Sequence, residues 1–134
     1  MPQLGTLPTA MMSNSSISLN LLGRRMIRGV GIDVVEVARI EEAMANPRFL
    51  RRILTSKEIR EVLNAQSLAG RWAAKEAVAK AVGTHVGWQD VEISNDERGA
   101  PSTRILTGTF AGQIHLSISH ERGIAAAVAV WEAE

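Results

Sequence analysis

Residues Arg71-Trp72-Ala73-Ala74-Lys75-Glu76-Ala77-Val78-Ala79-Lys80-Ala81-Val82-Gly83 hold the strongest helix formers of the chain. The stretch ends on a glycine, where a helix C-terminus favours a residue free to take positive φ. It predicts a helix. At about 100° per residue its apolar side chains, from Leu68 through Val82, point in almost every direction, which is the pattern of a buried helix. Glu76 and Lys80 lie one turn apart on it, with Ala69, Trp72 and Ala73 as neighbours on their face. Two readings are open. One is an i,i+4 ion pair on a solvated face, worth roughly 0.2–0.5 kcal/mol. The other is a carboxylate held for a metal ion with an ammonium beside it for a phosphate, because a charge among small apolar residues needs a partner.

The remaining composition narrows the function classes. With 134 residues and 46% hydrophobic content the chain suits one globular domain with an ordinary core. Fifteen basic against 14 acidic residues give a net charge of +1, which argues against a nucleic-acid binder driven by bulk charge, and 4% aromatics leaves little for base stacking. There is no cysteine. That excludes disulfides, thiolate metal sites and cysteine nucleophiles, and fits a reducing compartment; a cytoplasmic location is expected. No apolar run approaches the ~20 residues of a membrane span.

Residues 1–25 are rich in Ser, Thr, Asn, Pro and Leu, lack acidic residues and carry charge only at Arg24 and Arg25. They are expected to be a poorly ordered extension, with Met26 as an alternative start and residues 26–134 as the functional domain. Ile27 to Ile32 predicts a strand whose Gly29 and Gly31 allow a close approach of other backbone or of a ligand. Asp33 is expected at its end, opening a helix over Val34–Met44, so that an N-cap role competes with a ligand role. The helix should stop at Asn46-Pro47. Arg48-Phe49-Leu50-Arg51-Arg52-Ile53-Leu54 interleaves arginines with apolar anchors and, with Arg39, makes either a solvated face or a docking patch for an acidic partner. Thr55 and Glu58 form a capping box for a helix from Ser56 to Leu63.

Beyond the central helix, Gly83 to Gly87 predicts a loop, with His85 exposed. Val91–Ser94 and Ser102–Leu106 predict a hairpin around residues 95–101. Ile114–His120 alternates strictly, placing Ile114, Leu116 and Ile118 toward the core and His115, Ser117 and Ser119 opposite. Ile124–Trp131, almost wholly apolar, predicts a buried strand returning after the turn Glu121-Arg122-Gly123, with His120 at the lip of the hairpin. A serine hydrolase is not supported: no nucleophile elbow or triad is visible. The fold class is α+β, a small antiparallel sheet packed with helices including one long buried helix.

Asp33 and Glu76, two carboxylates from separate elements, suit a Mg²⁺ site for phosphate chemistry, since magnesium takes oxygen ligands and commonly uses one or two carboxylates plus substrate phosphates. Zinc fits worse without cysteines and with scattered histidines. Gly31-Ile32-Asp33, Arg48-Phe49…Arg52-Ile53-Leu54-Thr55…Glu58, Arg71-Trp72-Ala73-Ala74-Lys75-Glu76-Ala77…Lys80 and Ser117-Ile118-Ser119-His120 resemble, in order and spacing, the motifs of the holo-acyl-carrier-protein synthases. These are the short members of the 4′-phosphopantetheinyl transferase superfamily, and the resemblance covers Met26 to about Glu132.

The resemblance implies the 4′-phosphopantetheinyl transferase fold and a Mg²⁺-dependent transfer of the 4′-phosphopantetheine arm of coenzyme A to a serine of apo-acyl carrier protein. Adenosine 3′,5′-bisphosphate is the implied leaving product, fatty acid biosynthesis the implied role, and a homotrimer with active sites between subunits the implied assembly; neither nucleic acid nor membrane is an expected partner. By the same resemblance Asp33 and Glu76 match metal ligands, Lys80 a phosphate-contacting lysine, Arg71 and His120 positions lining the coenzyme A site, and Arg39, Arg48 and Arg52 the carrier-docking positions. Glu76 is the first candidate for the base that takes the serine proton, and His120 the second. Two features depart from many relatives: Gly99-Ala100-Pro101 stands where Gly-Lys-Pro is common, and Thr107–Gln113 leaves little room for a helix before the Ser117-Ile118-Ser119-His120 strand. A non-catalytic binding module and a different Mg²⁺-dependent nucleotide enzyme remain the competing readings; the latter would lack a glycine-rich phosphate loop.

Overall fold

A computed structural model describes residues 24–62, 64–83, 86–108 and 110–134; residues 1–23 and His85, and the expectations attached to them, lie outside that range. In chain order the elements are β1 (Met26–Glu36), α1 (Val37–Ala43), α2 (Pro47–Ile53), α3 (Ser56–Glu61) and α4 (Ala65–Val82). A 3-10 turn (Trp88–Asp90) follows, then β2 (Val91–Asn95), β3 (Pro101–Ile105), β4 (Gln113–Glu121) and β5 (Ile124–Ala133). Among the described residues the strands form two antiparallel sheets, β1-β5-β4 and the hairpin β2-β3. No described helix is long and apolar enough to cross a membrane.

Helix α4 is the spine. It begins at Asn64, whose side chain accepts from Ser67 N, and closes at Gly83 with φ of 75°, a left-handed cap that a glycine takes without a Cβ clash. Its Leu68, Ala69, Ala73, Ala74, Ala77 and Val78 are completely buried, as the distribution of apolar residues predicts. Ala125, Ala127 and Ala129 of β5 face it at 0–3% exposure. Alanine against alanine lets helix and sheet lie close, and Gly29 and Gly31 of β1 bring them closer still.

β1 is longer than its sequence suggests. Pairing with β5 runs on from Asp33↔Ala127 to Glu36↔Ile124, so Val34, Val35 and Glu36 are strand and the helix starts only at Val37. The physical reason is the partner: ten residues of β5 offer a complete hydrogen-bond ladder, and two adjacent valines are better placed in a strand than in a first helical turn. Asp33 is therefore inside a strand, and the N-cap role considered for it is overturned; the residue before α1 is Glu36, with no side-chain cap.

The punctuation downstream is as read. Asn46 caps α2 by accepting from Arg48 N at 3.0 Å, with Pro47 in its first turn. Thr55 and Glu58 make both bonds of the capping box. Asp96 accepts from Arg98 N and Ala100 N at 2.8 and 2.9 Å, which closes the β2-β3 turn without the lysine common there. β5 differs from expectation on one face: Ala125, Ala127 and Ala129 are buried, but Ile124 and Val128 are 49% and 36% exposed.

Candidate active site

Gly31 fixes where the first carboxylate goes. A Cβ there would lie 2.0 Å from the Ala77 carbonyl oxygen, and one at Gly29 would lie 1.8 Å from the Ala81 carbonyl oxygen. β1 therefore rests directly on the backbone of α4, and two residues along the strand move the contact one turn back along the helix. Two more residues bring Asp33 to the level of the turn that carries Glu76. Its carboxylate, 16% exposed, takes a contact of 3.3 Å from Lys80 Nζ, which also donates to Ile32 O at 2.9 Å. Lys80 thus reaches across to β1. The i,i+4 pair with Glu76 is not formed, and Glu76 stands half-buried without an ion-pair partner among the described residues.

Among the described residues no three His, Cys, Asp or Glu side chains cluster, so Asp33 and Glu76 would make a sparse donor set. Such a set fits a hard cation that completes its shell with water and substrate phosphate oxygens, and it does not fit a closed structural site.

The other pair of candidates meets at the N-terminal half of α4. Gly70 lets β4 approach: a Cβ there would lie 3.3 Å from Ile118 Cγ2 and 3.9 Å from His120 Cδ2. Beside it opens a cavity of about 310 Å³ lined by Arg71, His120, Asn64, Ser67, Asn95 and Ile118, among others. Arg71 is buried, and is aimed by donating to Ile93 O at 2.7 Å and to Glu61 Oε1 at 3.2 Å. His120 is exposed at the cavity mouth. The candidates thus fall along one helix as Arg71 with His120 and Lys80 with Asp33, with Glu76 one turn before Lys80, and Arg71 and Lys80 are about 13.5 Å apart along its axis at 1.5 Å per residue.

Arg39 on α1 and Arg48, Arg51 and Arg52 on α2 are exposed, and none forms an ion pair with a described residue.

One group of buried polar residues was not foreseen. Lys75, next to Glu76, turns inward and donates to Glu58 Oε1 at 2.6 Å, Ile53 O at 2.7 Å and Trp88 O at 2.9 Å. Burial pushes the Lys75 ammonium below the ordinary lysine range, opposed by its bond and attraction to Glu58. Glu58 also accepts from Thr55 N and Ile93 N. Glu92 accepts from Thr55 Oγ1 and Arg104, and the Thr55 hydrogen bond first, then Arg104, holds its carboxyl below the ordinary range. The capping box at Thr55 and Glu58 was the one sequence signal pointing to this network.

Comparison with known proteins identifies the fold and the family. Residues 29–129 match the family model of the 4′-phosphopantetheinyl transferase superfamily. The holo-[acyl-carrier-protein] synthase of Chlorobaculum tepidum is 42% identical over 113 residues, covering 77% of this chain and 97% of that protein. The corresponding synthase of Oceanobacillus iheyensis is 45% identical over 117 residues, covering 80% and 98%. Among solved structures, the Bacillus anthracis synthase in complex with coenzyme A (3′,5′-ADP) superposes with a TM-score of 0.73 at 40% identity, covering 81% of this chain and 99% of that one. The Helicobacter pylori synthase in complex with coenzyme A gives 0.72 at 33% identity, covering 76% and 98%. With a family model matched over residues 29–129 and relatives matched over almost their full length, the chain belongs to the 4′-phosphopantetheinyl transferase superfamily, in the group of the holo-[acyl-carrier-protein] synthases.

Proposed function

We propose that residues 26–134 transfer 4′-phosphopantetheine from coenzyme A to a serine of apo-acyl carrier protein, with Mg²⁺, releasing adenosine 3′,5′-bisphosphate, in the service of fatty acid biosynthesis in the cytoplasm. The observation that carries this reading is the 3.3 Å contact of Asp33 with Lys80, which brings one carboxylate to the helix that holds the other. Magnesium held by Asp33 and Glu76 would supply positive charge to the diphosphate. Lys80, already oriented toward Asp33, neutralises phosphate oxygens as charge builds on the leaving group. Arg71 and His120 bind the adenosine-bisphosphate end in the cavity at the other half of α4. The serine hydroxyl is a poor nucleophile and needs a base as it attacks the β-phosphorus; Glu76, half-buried and unpaired among the described residues, is better placed for that than the exposed His120. Arg39, Arg48 and Arg52 receive the acidic surface of the carrier protein, which free guanidinium groups on two adjacent short helices are suited to do.

The outer face of the three-stranded sheet supports a homotrimer. Val30, Ile32 and Val34 are about 60% exposed side by side on β1, next to Ile124 and Val128 on β5, an apolar patch that a lone chain leaves in water. A neighbouring subunit on that face would bring further groups to the rim of the active site.

Incubation with coenzyme A, Mg²⁺ and apo-acyl carrier protein, followed by mass spectrometry of the carrier, tests the activity: no phosphopantetheine mass increase would end the proposal. Glu76→Gln is expected to fold normally and to lose turnover by at least about 10²-fold. Sedimentation of the wild-type chain as a monomer would refute the trimer.

A further inference from the structure

Helix α2 carries three exposed arginines on only seven residues. A helix of two turns does not hold its own direction in water. Its C-terminal carbonyls have no intrahelical partners once Leu54 N has taken Leu50 O at 3.0 Å. Four successive carbonyls are instead met by two side chains from distant parts of the chain. Gln89 Nε2 donates to Arg51 O at 2.7 Å and to Leu54 O at 2.7 Å, with a longer contact to Arg52 O at 3.4 Å. Lys75 Nζ donates to Ile53 O at 2.7 Å.

These bonds close a circuit. Lys75 belongs to α4, is the neighbour of Glu76, and also donates to Trp88 O at 2.9 Å. Trp88 is the neighbour of Gln89, whose amide returns to α2. Phe49 of α2 stacks on Trp72 of α4 at 5.6 Å, and Trp72 packs on Trp88 at 4.5 Å, so the apolar side of the same joint is closed as well. The helix bearing the arginines cannot tilt against the helix bearing Glu76 without breaking this set.

We propose that Gln89 is a positioning residue for carrier-protein recognition, holding the arginine row of α2 at a fixed angle to Glu76. The inference rests on the reading of α2 as the docking surface. Gln89 itself is exposed, and its amide is spent on the α2 backbone, so it acts through Arg51 and Arg52 and touches no reacting atom. A carrier protein bound to a misaligned arginine row would present its serine away from the phosphorus, or would bind less often in the productive pose. Binding of coenzyme A in the cavity beside Arg71 and His120, which Gln89 does not line, would be untouched.

The test uses the full chain with Gln89→Ala and the isosteric Gln89→Glu, and Arg52→Ala as the reference. The expected result is a rise in KM for apo-acyl carrier protein of about tenfold for Gln89→Ala, the loss that one to two ordinary hydrogen bonds carry. KM for coenzyme A should stay within about twofold, and Tm should fall by only a few degrees, the loss expected of the same one to two bonds. Gln89→Glu should be worse than Gln89→Ala, because a carboxylate aimed at helix C-terminal carbonyls repels them; a side chain that merely fills space would give the opposite order. An unchanged carrier KM in both variants, alongside a raised one in Arg52→Ala, overturns the inference and leaves the docking reading standing. Parallel rises in both KM values overturn it in favour of a general structural role. An unchanged carrier KM in Arg52→Ala overturns the docking reading, and the inference falls with it.

Discussion

Replacing Gly31 by alanine tests how Asp33, the proposed metal ligand, is placed. The added Cβ would lie 2.0 Å from Ala77 O, 2.8 Å from Ala81 N and 2.9 Å from Lys80 Cβ. Ordinary contact begins near 3.4 Å, so strand and helix must separate by about 1.4 Å (3.4 − 2.0) at that point. Two of the three atoms are backbone of the most buried helix, and no rotamer change relieves them. The cost belongs at the upper end of overpacking penalties, about 3 kcal/mol. For a domain of this size that corresponds to roughly 10–20 °C in Tm. Asp33 is two residues along the same strand and moves with it, and misplacing a catalytic group by about 1 Å costs on the order of 10² in rate. The assay is urea unfolding, read as a change in midpoint at constant m, together with kcat for carrier modification. Gly83→Ala is the control. It has φ of 75° and nothing within 4 Å, so it should lose about 1–2 kcal/mol and keep its activity. If Gly31→Ala matches wild type in both midpoint and kcat, β1 does not lie on the α4 backbone and the account of Asp33 fails.

Lys75→Met should cost about 3–5 kcal/mol, because it strands Glu58, which is completely buried, without its cation; a loss below about 1 kcal/mol in chemical unfolding would show the pair to be dispensable. Glu92 has its carboxyl lowered in the folded state, so the unfolded state binds more protons as pH falls. The stability it contributes is present above its ordinary value of 4.5 and is lost as pH drops toward the lower folded value. Glu92→Gln should therefore flatten the pH dependence of unfolding below about pH 4.5, and an unaltered acid limb would contradict this. Ile32→Glu, on the exposed apolar face of β1, should shift sedimentation from the proposed trimer toward one chain; an unchanged assembly would move the interface elsewhere.

What could be read from the sequence was whatever is written locally. The alanine-rich helix, its Gly83 cap, the Thr55–Glu58 box and the alternation of Ile114–His120 each depend on residues within a few positions of one another, and each is present as read. Gly29 and Gly31 announced a close approach without naming its partner, because the partner is a helix backbone some fifty residues away. Asp33 was set at a strand end because the length of β1 is decided by β5, almost a hundred residues later, and nothing between Ile32 and Val37 marks the boundary.

Lys75 and Glu76 show the limit most sharply. They are adjacent, both charged and both on the same turn of one helix, and no local pattern says which serves the core and which the site. Rotation by about 100° separates them. One step inward finds Glu58 and the open carbonyls of Ile53 and Trp88, and the other leaves Glu76 half-buried on the turn before Lys80, which reaches Asp33 on the edge strand. The buried lysine fixes the rotation of α4 about its axis, since it can satisfy its three donors in one orientation only. The direction of Glu76 follows from that constraint. The same lysine and Gln89 together fix α2, so the arginine row and the carboxylate share one frame. The site is therefore precise because its structural neighbour in sequence is over-determined, and a charge-conserving change such as Lys75→Arg, too large for its three acceptors, should disturb Glu76 without touching it.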